Sequence, residues 1–178
     1  MSNQAFLAQA EEWLLTSGIQ DSGPDPRFMG GVHAWYDLRK NNFSFYYTEI
    51  TGYFLTHMCV LATENGGGRF REAADRSAQW LLTQARDTRS GALLCRYNED
   101  GWLSRACTFD NGMCLNGLLS YHALTGDTDA LQTSQDIGSW LLEQMAAADG
   151  VSYPSLIPRP VPCTTRVVNG RSSPVRFW

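Results

Sequence analysis

Two acidic residues stand at corresponding positions near the starts of two apolar stretches. Glu49 lies in residues 47–66 (YTEITGYFLTHMCVLATENG), and Asp110 lies in residues 108–127 (TFDNGMCLNGLLSYHALTGD), which begin sixty-one residues later. Two carboxyl groups that flank a glycosidic bond can act as acid, base or nucleophile in glycoside hydrolysis. The same positions also suit a structural role, because an acid in the first helical turn interacts with the helix dipole and with unpaired amides. Both interpretations remain open at this level.

Aromatic and basic residues are concentrated in the segments that precede these stretches. The aromatic candidates for stacking against sugar rings are Trp35, Tyr36, Tyr46, Tyr47, Tyr97 and Trp102. Their flat faces match sugar C–H surfaces, and their polar edges can form hydrogen bonds. The alternative is that they pack over the core. Arg96 and Arg105 can bind a uronate carboxylate through paired hydrogen bonds, or can form ordinary surface ion pairs.

Both apolar stretches carry apolar residues nearly all the way round when they are drawn as helices. A helix of this kind is typically buried among other helices. Glycine inside a helix costs about 1 kcal/mol relative to alanine, so Gly52, Gly112 and Gly117 indicate close helix approach as compensation. We therefore predict inner helices over 47–64 and 109–124, packed side by side.

Three amphipathic helices are predicted to surround this inner pair, at residues 4–17, 69–86 and 129–147. Each contains the tripeptide Trp-Leu-Leu, at 13–15, 80–82 and 140–142. In the first helix, the apolar stripe that we expect to be buried consists of Phe6, Leu7, Ala10, Trp13 and Leu14. In the second, it consists of Phe70, Ala73, Ala74, Ser77, Trp80 and Leu81.

The repeating unit is thus an outer helix, a long loop and an inner helix. Loops of 20 to 30 residues in a compact domain usually carry function, and these two are expected to meet at one rim beside the starts of the inner helices. Within the second loop, Glu99-Asp100-Gly101 between two apolar runs predicts a β-hairpin.

The last part of the chain departs from this pattern. Five of the seven prolines lie in the last 28 residues, which argues against helix or central strand there. We therefore divide the chain into a helical unit at 1–153 and an irregular Pro- and Arg-rich tail at 154–178. The helical unit contains about two and a half hairpins, so apolar side chains on its open edge are expected to promote self-association.

Charge and composition exclude several classes of function. Residues 1–150 hold 10 Lys and Arg against 18 Asp and Glu, a net charge of −8, while the four arginines after residue 150 are scattered among prolines. This distribution does not form the basic surface on which nucleic-acid binding depends. There is no secretory signal pattern and no apolar run long enough to span a membrane. The five cysteines form no C-x-x-C pair, so free thiols in a cytoplasmic protein, without metal or cofactor, are expected.

The repeated outer helix and the inner-helix openings YTEITGY and FDNGMCLNGLLSYHALTGD resemble the six-hairpin glycosidase-like superfamily of (α/α)6 toroids. The relatives include unsaturated glucuronyl hydrolases, N-acylglucosamine epimerases and the helical domain of glucuronyl C5-epimerases. The nearest likeness is to uncharacterised members associated with bacterial polysaccharide synthesis. It covers residues 1–153, which correspond to about the first 40% of a six-hairpin toroid.

This resemblance implies an all-α fold, an incomplete toroid of αα-hairpins. It also implies a carbohydrate-active protein, truncated relative to the family, that acts on or binds a uronate-containing glycan. Asp110 is the stronger catalytic candidate and Glu49 is its partner, with hydrolysis or sugar epimerisation as the reaction. The alternatives are a non-catalytic glycan-binding or scaffold protein, or an inactive remnant. A single loose Q-x5-G-x-W match at 132–140 also suggests a terpene-cyclase-like toroid, which we disfavour because no D-x-D-D motif accompanies it.

Overall fold

The computed structural model describes residues 3–98, 101–103 and 105–146, and the predicted tail at 154–178 therefore lies outside the described residues. Five α-helices account for most of this part. They are α1 (Asn3–Thr16), α2 (Thr48–Glu64), α3 (Arg69–Thr83), α4 (Thr108–Thr125) and α5 (Thr128–Ala146). All five lie where the apolar periodicity predicts them, with bounds that differ by a few residues. Among the described residues, none of these helices is long and apolar enough to cross a lipid bilayer.

The two inner helices pack along each other, as the glycine-containing stretches predict. A Cβ atom added to Gly117 of α4 would lie 2.7 Å from the carbonyl oxygen of Gly52 in α2. The third glycine, Gly112, has no atom within 4 Å of such a Cβ, so it plays no part in the close approach. Two of the three glycines therefore explain how α2 and α4 come together.

The core lies between this inner pair and the outer helices α3 and α5. The outer helix α3 buries the predicted stripe through Ala73, Ala74, Ser77, Trp80 and Leu81, while Phe70 is half-buried. Facing it, α2 contributes Leu55 and Met58, and α4 contributes Leu118. The helix α5 closes the other side with Ile137, which is fully buried.

The first helix does not bury the stripe predicted for it. Phe6, Leu7 and Trp13 are 67%, 58% and 51% exposed, and α1 has no buried residue. The physical reason is that α1 meets the core only through Leu14 and Leu15. A cleft of about 180 Å³, lined by residues of α1 and of the start of α3, separates the two helices over the preceding turns.

The loops contain short antiparallel strands that an all-helical pattern does not show. In the first loop, β1 (Tyr36–Asp37) pairs with β2 (Asn42–Phe43). A three-stranded sheet then joins the two loops, in the order β3 (Tyr46–Tyr47), β4 (Arg96–Asn98) and β5 (Gly101–Trp102). The β4–β5 pair is the hairpin that Glu99-Asp100-Gly101 predicts.

Buried polar side chains anchor these loops to the helices. Asn111 of α4 accepts a hydrogen bond from the Leu93 amide at 2.7 Å and donates one to the Leu93 carbonyl at 3.0 Å. Thr48 of α2 donates to the carbonyl of Cys95 at 2.8 Å. Because both anchors sit in the first turns of inner helices, the second loop is held directly over the starts of α2 and α4.

Candidate functional site

The two predicted acids lie near each other because their helices start side by side. Tyr47, the residue that precedes α2, donates a hydrogen bond from its hydroxyl to Oδ1 of Asp110 at 3.4 Å. Burial raises the pKa of Tyr47, and the neighbouring carboxyl groups of Glu49 and Asp110 raise it further. The Tyr47 hydroxyl therefore stays protonated and can donate to Asp110.

Asp110 is the more enclosed of the two acids. It is only 4% exposed, and its Oδ2 atom is buried without a hydrogen-bond partner among the described residues. Burial raises the pKa of Asp110, and the charge of Glu49 adds to this effect, while the neighbouring Cys95 thiol and Tyr47 hydroxyl partly offset it. Glu49 is half-buried. A buried carboxyl oxygen without a partner is costly for stability, which marks this position as more than ordinary packing.

The contacts of Asp110 differ from those of a capping residue. Tyr47 and Cys107 are the N-cap residues of α2 and α4, and neither makes a side-chain capping hydrogen bond. The backbone amide that lowers the pKa of Asp110 is its own, rather than one two or three residues further on. Asp110 thus lies where its charge interacts favourably with the dipole of α4, but its side chain does not form the hydrogen bond of a capping residue.

Two cysteines complete the surroundings of Asp110. The Sγ atoms of Cys95 and Cys107 are 2.9 Å apart. These two atoms and a carboxylate oxygen of Asp110 all lie within 4.8 Å of one another. Their mutual hydrogen bond lowers the pKa of Cys107, helped by the charge of Arg105, and raises the pKa of Cys95. Cys95 is buried and Cys107 is half-buried. Arg105, predicted as a uronate ligand, is exposed.

The three-stranded sheet sorts the predicted aromatic and basic residues onto two faces. Tyr47 and Arg96 are cross-strand partners, so their side chains share the face that carries Asp110. Phe45 lies on this face as well, because it precedes Tyr47 by two residues. The Arg96 guanidinium lies 4.7 Å from the centroid of the Phe45 ring, and Nε of Arg96 is buried without a hydrogen-bond partner.

The opposite face of the sheet packs against aromatic residues of the core and of the first loop, and its Tyr46 and Tyr97 also line a cleft. Tyr46 pairs with Tyr97, and Tyr97 pairs with Trp102. The ring of Trp102 lies 5.3 Å from that of Trp80, and Tyr46 stacks on Phe28 at 5.3 Å. These contacts are those of loop packing over the core, the alternative reading of the aromatic residues.

A cleft of about 540 Å³ opens along the first loop and the edge of this sheet. Its lining residues are Arg27, Phe28, Trp35, Asp37, Lys40, Asn42, Phe43, Ser44, Phe45, Tyr46, Tyr97 and Asn98. Trp35 is 53% exposed in this cleft, and its ring packs edge-on against Phe45 at 4.9 Å. Tyr36 instead donates its hydroxyl to Asn41 and packs its ring edge against Phe43, away from the acids.

Phe45 links the cleft to the acids, and it was not among the predicted site residues. Its ring contacts Trp35 on one side and Tyr47 at 5.8 Å on the other. The alternation of side chains along β3 would have been the signal for Phe45. No sequence spacing indicates Cys95 and Cys107, since only the closed hairpin brings them together.

No protein-family model and no curated protein matches the sequence. Among solved structures, the chain is similar to a family 76 glycoside hydrolase from a bovine Bacteroides thetaiotaomicron strain, with a TM-score of 0.63 and 15% sequence identity. The similarity covers 80% of this chain but 31% of that one, so the chain spans about a third of the length of that hydrolase. The fold is therefore that of a helical α/α toroid, represented here by a fragment of its hairpins.

Proposed function

We propose that this chain is a carbohydrate-active protein whose glycan lies across the Trp35 cleft and ends at Glu49 and Asp110. The observation that carries the proposal is the hydrogen bond from the Tyr47 hydroxyl, at the start of α2, to Asp110, at the start of α4, where the charge of Glu49 also acts on Asp110. Two acids held together on neighbouring inner helices, below aromatic loops, form an arrangement suited to a sugar ring.

The path from the cleft to the acids supports a glycan longer than one sugar. Trp35, Phe45 and Tyr47 follow one another by ring contacts, and they end at Asp110. Trp35, the exposed member of this row, can hold a sugar ring through its C–H surface while the next sugar reaches toward the acids.

The position of the Arg96 side chain supports the binding of an acidic glycan. Its guanidinium lies over Phe45, and its buried Nε has no hydrogen-bond partner among the described residues. Arginine is the side chain best suited to bind a planar carboxylate through paired hydrogen bonds. A uronate that binds beside Phe45 would bring its carboxylate to this guanidinium.

Two reactions fit this site. In hydrolysis, the paired acids protonate the leaving oxygen and activate water or attack the sugar. In epimerisation, Glu49 abstracts the proton next to the uronate carboxyl group, and the Tyr47 hydroxyl returns a proton to the opposite side of that carbon. A second candidate function is glycan binding without turnover, which the exposed Trp35 in the cleft supports, because that contact does not depend on the acids.

Calorimetric titration with an oligo-glucuronide, beside a neutral oligosaccharide of equal length, tests the proposal. We expect the acidic glycan to bind and the neutral one to bind at least tenfold more weakly. Arg96→Gln should remove this preference. Glu49→Gln and Asp110→Asn should weaken binding or abolish turnover, and turnover itself separates the enzyme from the binding protein.

Two acids in other helices provide matched controls. Glu72 and Asp129 lie in the first turns of the outer helices α3 and α5, so they share the dipole environment but not the site. Glu72→Gln and Asp129→Asn should leave glycan binding unchanged. Equal losses in all four variants, or no binding of either glycan to the folded wild type, would reject the proposal.

A further inference from the structure

We propose that Cys95, Cys107 and Asp110 form a binding site for a thiophilic divalent cation of the zinc class. Cys95 directly precedes β4, Cys107 is the N-cap residue of α4, and Asp110 lies in the first turn of α4. Their ligand atoms lie within 4.8 Å of one another. Two thiolates and a carboxylate are ligands that zinc accepts in proteins, and three protein ligands leave one coordination position for water or substrate.

The carboxylate supplies the independent observation. Asp110 is 4% exposed, and its buried Oδ2 has no hydrogen-bond partner, whereas Oδ1 accepts from Tyr47. A buried carboxylate oxygen without a partner is strongly disfavoured unless a proton or a cation satisfies it. A cation held by the adjacent sulfurs would satisfy this oxygen. The Tyr47 hydroxyl would then orient the carboxylate from its other side, as outer hydrogen bonds do at metal sites.

A disulfide between the two cysteines is the competing explanation. Their Sγ separation of 2.9 Å lies about midway between the 2.05 Å of a disulfide and the roughly 3.8 Å of two sulfurs on a tetrahedral zinc ion. Distance alone therefore does not decide between the two. The buried Oδ2 of Asp110 favours the cation, because a disulfide would leave this oxygen without a partner.

Cys95 and Cys107 close the base of the β4–β5 hairpin, where the Cys95 amide donates to the carbonyl of Arg105. A tetrahedral zinc ion would hold the two sulfurs about 0.9 Å further apart than they are here. A metal-bound Asp110 cannot protonate a leaving group, so the metal-bound protein would correspond to the glycan-binding function rather than to paired-acid hydrolysis.

Cobalt(II) titration of the reduced full-length protein tests the site without any glycan. The protein would carry Cys163→Ala, so that the described cysteines alone contribute. We expect one equivalent of Co²⁺ to bind with thiolate charge-transfer absorption, and Zn²⁺ to displace it. Cys95→Ser and Cys107→Ser should each abolish this absorption. Tyr47→Phe should weaken affinity about tenfold while keeping the spectrum.

Cys59 and Cys114 provide the matched controls, since both are buried thiols that lie outside this cluster. Cys59→Ala should leave the cobalt spectrum unchanged. X-ray absorption on the zinc-loaded protein provides a measurement that needs no cysteine variant. We expect two sulfur atoms at about 2.3 Å and oxygen ligands at about 2.0 Å.

Several results would overturn the proposal. One is the absence of thiolate absorption at micromolar protein, and another is its persistence in the folded Cys95→Ser/Cys107→Ser double variant. A zinc environment without two sulfurs would do the same. A Cys95–Cys107 disulfide found by peptide mapping, together with no cobalt binding after reduction, would assign the pair to redox chemistry instead. None of these results bears on glycan binding, which is measured separately.

Discussion

The backbone of Gly117 in α4 lies directly against the backbone of Gly52 in α2. A Cβ on Gly117 would stand 2.7 Å from the Gly52 carbonyl oxygen, and one on Gly52 would stand 2.8 Å from backbone atoms of Met113 and Cys114. Backbone cannot move aside as a flexible side chain can. This contact therefore sets the spacing of the helices that carry Glu49 and Asp110.

Gly117→Ala should lower the free energy of unfolding by about 1–3 kcal/mol, the usual cost of overpacking. The clash with Gly52 outweighs the roughly 1 kcal/mol that alanine gains over glycine in a helix. Gly112→Ala is the control, because its Cβ would meet nothing within 4 Å in the same helix. That variant should be neutral or slightly more stable. Chemical denaturation measures both, and equal effects would contradict the packing explanation.

Substitution of Trp35 and of Trp102 should distinguish an aromatic residue that stacks on glycan from one that packs on the core. Trp35 is 53% exposed in the cleft, so Trp35→Ala should change stability by no more than about 0.5 kcal/mol while it reduces glycan binding. Trp102 packs on Trp80 and Tyr97, so Trp102→Ala should cost stability near the lower end of the ~3–5 kcal/mol seen for buried aromatics. Thermal melts beside glycan titrations distinguish the two, and a reversed pattern would refute the assignment of faces.

His33 should make the first loop sensitive to acid. Its ring stacks between Phe43 and Tyr46, and Nδ1 lies 2.6 Å from the Ser44 carbonyl oxygen. Burial lowers the pKa of His33, although the Ser44 carbonyl and the charge of Asp21 oppose this shift.

The unfolded chain therefore binds the His33 proton more readily than the folded one, and stability rises with pH across the window below about 6.5. Wild type should lose stability as the pH falls through this window, and His33→Asn should lose less. Urea denaturation between pH 7 and pH 5 checks this expectation. Parallel curves for the two proteins would show that His33 does not contribute.

The solvent-facing sides of the inner helices should drive association. Tyr53 and Val60 of α2 are each 46% exposed, while Phe109 and Leu119 of α4 are 55% and 42% exposed. Apolar side chains grouped in this way favour burial against another surface. Sedimentation velocity should show a concentration-dependent oligomer. Val60→Lys/Leu119→Lys should shift it toward monomer, whereas a wild type that remains monomeric at high concentration would contradict the prediction.

Local sequence patterns predicted the helices, the hairpin and the pairing of the inner helices. Apolar periodicity placed the five helices, the repeated Trp-Leu-Leu identified the outer ones, and Glu99-Asp100-Gly101 predicted the hairpin. Gly52 and Gly117 predicted a close helix pair, and the position of each acid near a helix start brought Glu49 and Asp110 together. These features depend on neighbours within a few residues, or on a repeat that places equivalent positions side by side.

The tertiary structure alone decided which side chains share a surface. In a strand, a shift of one residue moves a side chain to the other face, so Tyr47 contacts Asp110 and Phe45, whereas Tyr46 and Tyr97 pack against Phe28 on the other face. Cys95 and Cys107 meet only because the hairpin between them closes over the start of α4. The exposure of α1 likewise depends on what packs against it, and periodicity shows only which face is apolar, not whether another element covers it.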